Sequence, residues 1–229
     1  MTVLQLGDDL QVVGLFEGYS GLTSGLIRVI GGKLVAYAEY EPPTKKVPRP
    51  SQAPARIMAH HYPDVPNLGD VSLIDWTPWV GLIHVMAGGF PCQDVSHAGL
   101  RAGLSSGTRS GMWYHFARAI AETRPALVLI ENVPGLRSAR AGDPEEITDE
   151  ETGDMEPGEG AVGRSERGGG PVLRALGAVL GDLAELGYDA EWISVRASDA
   201  GAPHRRERVF ILAYDRNLDR IDRGGGRPS

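Results

Sequence analysis

Short apolar segments alternate with segments of helical periodicity along this chain, and that alternation constrains its fold more than any other feature. Residues 12–16 form an apolar run that ends in a glycine-containing turn, and residues 21–30 follow with helical spacing. The same patterns predict strands at residues 34–38, 71–74, 82–86, 126–130, 191–195 and 208–213, and helices at residues 55–61, 111–122 and 172–186. Strands that alternate with helices are typical of an α/β domain with a mainly parallel sheet.

Composition excludes several classes of protein. A chain of 229 residues with 41% hydrophobic content is long enough to bury one core, so we expect one main domain. No segment approaches the roughly 18 apolar residues of a membrane span. Residues 1–9 lack a basic region followed by an apolar run, so we expect no signal peptide and a cytoplasmic location. The single cysteine, Cys92, excludes an intramolecular disulfide and a multi-cysteine metal site.

Acidic residues are concentrated in one segment. The formal net charge is −7, but residues 143–159 contain nine acids and no base, so the rest of the chain carries +2. A mildly basic body permits contact with nucleic acid without indicating it. The acid- and glycine-rich residues 138–170 predict a disordered insertion, and the polar residues 215–229 predict a flexible tail. Residues 42–54, with five prolines and Lys45, Lys46 and Arg49, predict an irregular basic loop.

A glycine-containing turn after the first predicted strand is the first candidate site. The segment Phe16-Glu17-Gly18-Tyr19-Ser20-Gly21 would let the backbone approach a ligand at the carboxyl edge of the sheet. Glu39, at the end of the second predicted strand, has the position of an acid that accepts hydrogen bonds from ribose hydroxyls in nucleotide-binding domains. The alternatives are a tight turn without a ligand and a solvated surface acid.

Three later segments place reactive or charged groups near strand ends. Cys92 lies in the loop Gly88-Gly89-Phe90-Pro91-Cys92-Gln93, where it is either a nucleophile or a small buried apolar residue. Glu131 ends an apolar strand, where it is either a ligand-binding carboxylate or a polar strand cap. Arg206 and Arg208 would point the same way if a strand begins near Arg206, although a solvated charge run is the alternative.

The order of these segments resembles that of the DNA cytosine-5 methyltransferases over residues 12–213. The most specific match is Gly-Gly-Phe-Pro-Cys-Gln-Asp-Val-Ser, at residues 88–96, followed by Glu-Asn-Val-Pro-Gly at residues 131–135. The resemblance implies a Rossmann-like S-adenosylmethionine-dependent methyltransferase fold with three layers. It also implies a seven-stranded, mostly parallel sheet whose last strand pair is antiparallel. The methyltransferase domain would cover residues 10–214.

The resemblance also implies a mechanism for methylation of cytosine C5. Cys92 would be the nucleophile that adds to C6 of the cytosine, which makes C5 able to attack the methyl group of S-adenosylmethionine. Glu131 would hold the cytosine edge around N3 and the amino group. Arg208 would contact the base carbonyl oxygen, and Arg206 would make polar contacts nearby with the DNA backbone. The target base has to leave the duplex to reach such a pocket, so base flipping is implied.

Cofactor-binding positions follow from the same resemblance. Phe16, Gly18 and Gly21 match the family's first motif. Glu39 matches its ribose-binding acid, and Tyr40 matches the aromatic residue beside the adenine. Asp70 and Val71 match the pair at the adenine edge, and Pro91 resembles a contact on the cofactor side. The segment Arg109-Ser110-Gly111 resembles the motif that opens the next helix. No metal ligand is implied.

The chain also departs from the family pattern. Gly14 stands where many members carry aspartate, Ser20 where many have glycine, and His204 where glutamine is usual. The basic loop at residues 42–54 replaces a helix that normally follows the ribose-binding acid. A target-recognition region and two further motifs normally follow the Arg-x-Arg strand, and residues 214–229 are too short and polar to supply them.

These departures leave several functions open. The chain is either a minimal or truncated DNA methyltransferase, the catalytic subunit of a split enzyme with a second subunit for target recognition, or a remnant that binds cofactor or a partner without catalysis. An RNA cytosine-5 methyltransferase of the same fold is a related alternative. A restriction–modification role would follow from family association alone.

Overall fold

The computed structural model describes residues 9–91, 111–138 and 175–217. Within these ranges six strands form one sheet, in the spatial order β2-β1-β3-β4-β6-β5. The strands are β1 (Gln11–Leu15), β2 (Lys33–Ala38), β3 (Val85–Gly88), β4 (Leu127–Asn132), β5 (Tyr188–Arg196) and β6 (Glu207–Asp215). β1 pairs in parallel with β2 and β3, and β3 pairs in parallel with β4, whereas β6 is antiparallel to both β4 and β5. The predicted mostly parallel sheet with an antiparallel final pair is confirmed.

Helices cover both faces of the sheet. They are α1 (Gly21–Ile30), α2 (Ala53–His61), α3 (Met112–Thr123), α4 (Gly135–Ser138) and α5 (Ala175–Glu185). The main core packs α3 and α5 against one face of the sheet, through residues such as Val13 and Ile130. α1 packs on the opposite face, where Ile30 meets Val12 and Val85. The three layers predicted from the sequence are therefore present.

The predicted strand at residues 71–74 is wrong. Residues 71–74 were expected to be extended, but Val71–Leu73 is a 3₁₀ helix. The Asp70 carboxylate accepts hydrogen bonds from the backbone N–H of Ser72, at 2.9 Å, and from the Ser72 hydroxyl, at 2.7 Å. These local bonds favour a tight turn over an extended strand. The apolar pattern of residues 71–74 is real, because Val71 is buried, but its side chains pack from a turn.

Other predicted boundaries agree more closely. α1 has the predicted bounds, whereas α2 begins two residues earlier, with Pro54 in its first turn. β5 and β6 are each nine residues long and extend beyond the apolar segments that predicted them. The tail was predicted to begin at residue 215, but Asp215 ends β6 and Arg216 bonds to Asp189 at 2.6 Å. The predicted insertion beyond residue 138 lies outside the described residues, as does the chain after residue 217.

Aromatic packing fixes the turns that follow β1 and β3. Phe16 follows β1 and lies 6.3 Å from Phe116 of α3 between ring centroids. Phe90 follows β3 and lies 5.1 Å from Trp113 of the same helix. α3 thus anchors both turns at one edge of the sheet. None of the helices in the described ranges is long and apolar enough to cross a membrane.

We predict that Gly88→Ala destabilises the protein. A Cβ atom at Gly88 would overlap the carbonyl oxygen of Leu15 on the neighbouring strand, and a paired backbone has little room to move. We expect a loss of about 1–3 kcal/mol in the free energy of unfolding, measured by chemical denaturation. Gly25→Ala in α1 is the control, because its Cβ would meet nothing within 4 Å and alanine favours helix. Equal effects of the two substitutions would contradict the prediction.

Candidate active site

The site lies where the parallel strands end. β1 is flanked by β2 on one side and by β3 on the other, so the chain reverses its direction of progress across the sheet between β1 and β3. Ligands bind to open α/β sheets at such a switch point, beyond the carboxyl ends of the strands. β6 runs antiparallel to β4, with Asn132 opposite Val209, so β6 begins at this same edge. Five strands therefore contribute residues to one region.

The turn after β1 has an unusual backbone. Phe16, Gly18 and Ser20 have φ values of 55°, 54° and 62°, and only glycine adopts such values without strain. The Phe16 N–H donates to the carbonyl of Ala38 at 2.9 Å, and the Ser20 N–H donates to the carbonyl of Glu17 at 2.8 Å. Strained backbone of this kind clusters at ligand-binding sites, where the surrounding packing holds it in place.

Glu39 is joined to this turn by a hydrogen bond. The Gly18 N–H donates to Glu39 Oε2 at 2.8 Å. The backbone N–H of Glu39 donates to Asn67 Oδ1, and Asn67 Nδ2 donates to the Glu39 carbonyl, both at 3.1 Å. Burial raises the pKa of Glu39, while the bond from Gly18 opposes that rise. The carboxyl is thus held at the strand end, where it can accept hydrogen bonds from a hydroxyl-bearing ligand.

Glu17 is a buried acid that the sequence analysis did not assign to the site. The residue is 8% exposed, and its Oε1 accepts a hydrogen bond from the Thr23 hydroxyl. Burial raises its pKa to about 7, an effect that the hydroxyls of Thr23 and Ser20 oppose and the charge of Glu39 reinforces. The signal available in the sequence was a glutamate immediately before Gly18 of the turn.

The predicted adenine-side residues occupy the next stretch of the edge. Val71 is buried, and the guanidinium of Arg118 donates to its carbonyl at 3.2 Å and to that of Ile74 at 3.1 Å. Asp70 caps the short helix that contains Val71. Tyr40 follows Glu39 directly and is 43% exposed. The 3₁₀ turn thereby places Asp70 and Val71 in a fixed conformation beside the ends of the strands.

Glu131 and Arg208 form the charged pair of the site. Arg208 Nε lies 2.7 Å from Glu131 Oε1, and both side chains are partly exposed. Glu131 pairs across the sheet with Phe210, two residues beyond Arg208, so both charged side chains project from the same face. A Cβ at Gly89 would lie 2.8 Å from Glu131 Oε2, so the glycine leaves room for this carboxylate.

The loop that leads to Cys92 is hydrogen-bonded to β4. Asn132 is buried, and its Nδ2 donates to the Phe90 carbonyl at 3.0 Å. Pro91 follows and is exposed. Cys92, Arg109 and Ser110 lie outside the described residues.

Arginines surround this end of the sheet. Glu207, at the start of β6, bonds to Arg137 of α4 at 2.7 Å and lies 3.6 Å from Arg196 of β5. Arg206 immediately precedes β6 and is exposed. The sequence analysis did not single out Arg137 and Arg196, because isolated arginines carry no signal until the topology brings them together. The prediction that Arg206 and Arg208 point the same way required a strand that begins near Arg206, whereas β6 begins at Glu207, so only Arg208 lies within the strand.

A cavity of about 540 Å³ joins the turn after β1 to Glu131. Its lining includes Phe16, Glu17, Gly21, Gly89, Glu131 and Phe210. The turn after β1, one side of α1 and the carboxylate of Glu131 therefore open onto one space. A ligand in this cavity would contact that turn, α1 and the strands β3, β4 and β6.

Comparisons with known proteins identify a family for this chain. The family model of the C-5 cytosine-specific DNA methylases matches residues 10–152 and 164–222. The chain is 30% identical over 213 residues to type II methyltransferase M.Eco47II of Escherichia coli, covering 92% of this chain and 41% of that protein. It is 27% identical over 216 residues to type II methyltransferase M.Sau3AI of Staphylococcus aureus, covering 92% and 44%.

A solved structure supports the fold independently. The Dnmt2 methyltransferase of S. pombe superposes with a TM-score of 0.57 at 15% identity, over 90% of this chain and 50% of that one. At such low identity the likeness shows the fold alone. The chain spans less than half the length of the two curated relatives, while the family model covers most of this chain. The chain therefore belongs to the family of C-5 cytosine-specific DNA methylases.

Proposed function

We propose that this chain transfers a methyl group from S-adenosylmethionine to C5 of cytosine in DNA. The observation that carries the proposal is the Glu131–Arg208 pair, whose carboxylate lines one cavity together with Phe16 and Glu17 of the strained turn after β1. A carboxylate and a guanidinium 2.7 Å apart place an acceptor beside donors, and a cytosine edge presents an amino donor, ring N3 and a carbonyl oxygen acceptor. Family membership supplies the class of reaction.

The residues present fit S-adenosylmethionine. Gly18 has no Cβ to obstruct a ligand, and Glu39 beside it presents a carboxyl to the ribose hydroxyls. Tyr40, Asp70 and Val71 would border the adenine, and the backbone of Phe16, Gly18, Gly21 and Pro91 would border the rest of the molecule. When bound, the cofactor supplies an electrophilic methyl group.

The chain's own residues would activate the cytosine. The Cys92 thiolate would form a bond to C6, and the ring electrons would move to C5, which then becomes the nucleophile. Glu131 would hold N3 and the amino group and stabilise the protonated ring, while Arg208 would donate to the carbonyl oxygen. A base then removes the C5 proton, and the Cys92 thiolate leaves. Because a stacked base is out of reach of such a site, the target cytosine would be flipped out of the duplex.

Cationic side chains support DNA as the substrate. Arg137 and Arg196 pair with Glu207 at the start of β6, and Arg206 immediately precedes that strand. Phosphate contacts from arginine position a duplex without reading its sequence. The exposed Lys45, Lys46 and Arg49 of the basic loop are additional candidates for phosphate contacts. A second subunit for target recognition stays a prediction.

Expression of this chain in a bacterial host that lacks cytosine methylation tests the proposal. We expect bisulfite sequencing to reveal 5-methylcytosine in the host DNA, and the flanking bases would identify the target. Cys92→Ala should abolish the signal while leaving cofactor binding unchanged, because the thiolate acts on the cytosine.

Three results would contradict this proposal. Methylated RNA with unmethylated DNA would favour an RNA enzyme. Equal methylation by the Cys92→Ala variant would exclude the cysteine as nucleophile. Purified, folded protein that binds S-adenosylmethionine without methylating DNA would contradict sufficiency of this chain and favour a partner subunit or a non-catalytic role.

We predict that Glu39→Ala weakens S-adenosylmethionine binding by about tenfold or more, the loss expected for charge-assisted hydrogen bonds to ribose. Isothermal titration calorimetry would measure the dissociation constant. Asp64→Ala, which removes an exposed acid outside the site, is the matched control. An unchanged dissociation constant for Glu39→Ala would remove its ribose-binding role.

A further inference from the structure

The proposed function leaves the carboxyl of Glu17 without a role. Its Oε1 accepts from Thr23, but its Oε2 has no hydrogen-bond partner among the described residues and is closed to water. No lysine, arginine or histidine in those ranges forms an ion pair with it. Buried acceptors are nearly always satisfied, so an unsatisfied carboxylate oxygen beside a cavity indicates a missing donor.

Gly14 shows that the position of this carboxyl is specific. A Cβ at Gly14 would overlap the Glu17 side chain, including its carboxyl carbon and Oε1. The Glu17 carboxyl therefore fills the space that a side chain at position 14 would occupy. The two positions are coupled, since a residue larger than glycine at 14 requires a smaller one at 17. Many members of the family carry aspartate at the position of Gly14, so this chain keeps an acid in that space from a different position.

The surroundings of Glu17 define which ligand group it faces. Glu17 lines the same cavity as Glu131, and the charge of Glu39 acts on it from the other side of Gly18. The cation at this edge, Arg208, is already bonded to Glu131. The negative charges on this side of the cavity therefore favour a cationic ligand group.

We infer that the Glu17 carboxyl binds the α-ammonium group of the methionine portion of S-adenosylmethionine. The inference rests on the proposed function. Among the cationic groups of that cofactor, the ammonium has N–H donors and the sulfonium has none, so only the ammonium supplies the donor that Oε2 lacks. Glu39 is assigned to the ribose, which leaves the acid on the cavity side for the other end of the molecule.

Proton release on binding is a direct consequence. Burial raises the pKa of Glu17 to about 7 in the free protein. A bound ammonium stabilises the carboxylate and lowers that pKa, so binding near pH 6 releases a proton. The affinity should therefore rise with pH up to about pH 7, near the pKa of Glu17 in the free protein, and level off above it. Glu39, Glu131 and Arg208 also face this region, and they are unchanged in a Glu17 variant, which isolates the contribution of Glu17.

The test compares three ligands by isothermal titration calorimetry with the full chain. S-adenosylmethionine has both cations, S-adenosylhomocysteine has only the ammonium, and methylthioadenosine has neither. For Glu17→Gln we expect affinity for the first two to fall by about tenfold to a hundredfold, the loss of one charge-assisted hydrogen bond, with methylthioadenosine unchanged. Proton release, measured in buffers of different ionisation enthalpy, should disappear in this variant. Glu39→Ala is the control and should weaken all three ligands.

A second set of variants moves the carboxyl group from position 17 to position 14. Glu17→Ala should lose affinity for both ammonium-bearing ligands, and Gly14→Asp combined with Glu17→Ala should restore part of it, because the aspartate then occupies the vacated space. Circular dichroism would establish that each variant is folded. Failure of the double variant to regain affinity, with its fold intact, would contradict the shared-space argument.

The outcomes separate this inference from the proposed function. Equal weakening of all three ligands by Glu17→Gln would show that Glu17 only shapes the turn. Weakening of S-adenosylmethionine alone would assign Glu17 to the sulfonium. Either result overturns the inference while leaving cofactor binding established. If the unmodified chain binds none of the three ligands, the proposed cofactor is wrong, and the inference fails with it.

Discussion

Close approach of the backbone at Gly88 and Gly89 sets the geometry on which the rest of the site depends. Gly88 lies against the carbonyl of Leu15, and Gly89 lies against the carboxylate of Glu131. The end of β3 is therefore in contact with the end of β1, where the turn begins, on one side. On its other side it is in contact with Glu131 near the end of β4. Because the main chain makes both approaches, the separation between the turn after β1 and Glu131 is fixed by the sheet and not by flexible side chains.

Much of this arrangement could be predicted from the sequence because the signals were local. Apolar runs ended by glycine or acid located the strands that end at the site, and the positions of Glu39 and Glu131 at strand ends followed directly. Residues 71–74 show the limit of such patterns. Their apolar composition is compatible with a strand or a buried turn, and the choice was made by hydrogen bonds from the Asp70 side chain. The resemblance to a known family supplied the order of the motifs and the proposed reaction, because no residue pattern alone specified a methyl transfer.

Features that depend on packing between distant segments could not be predicted. Arg137 and Arg196 meet at Glu207 only because β6 inserts between β4 and β5, which the linear order of the strands does not reveal. The burial of Glu17 likewise requires both the left-handed turn at Phe16 and the missing side chain at Gly14. An acid within a glycine turn is usually solvated, so its burial is a property of the folded structure.

At this edge of the sheet the acidic side chains lie inside the turn and the arginines lie at the surface. Glu17 and Glu39 lie inside the turn, and burial raises the pKa of both, so the interior disfavours further negative charge. Arg137 and Arg196 lie outside, at the rim, each engaged with Glu207. Under the proposed function, DNA would be attracted to the rim and repelled by the interior, whereas the cationic cofactor would gain most at the interior. The opposite signs of rim and interior would then keep DNA and cofactor in separate places on one continuous surface, with Glu131 and Arg208 at the boundary where a flipped base would meet the cofactor.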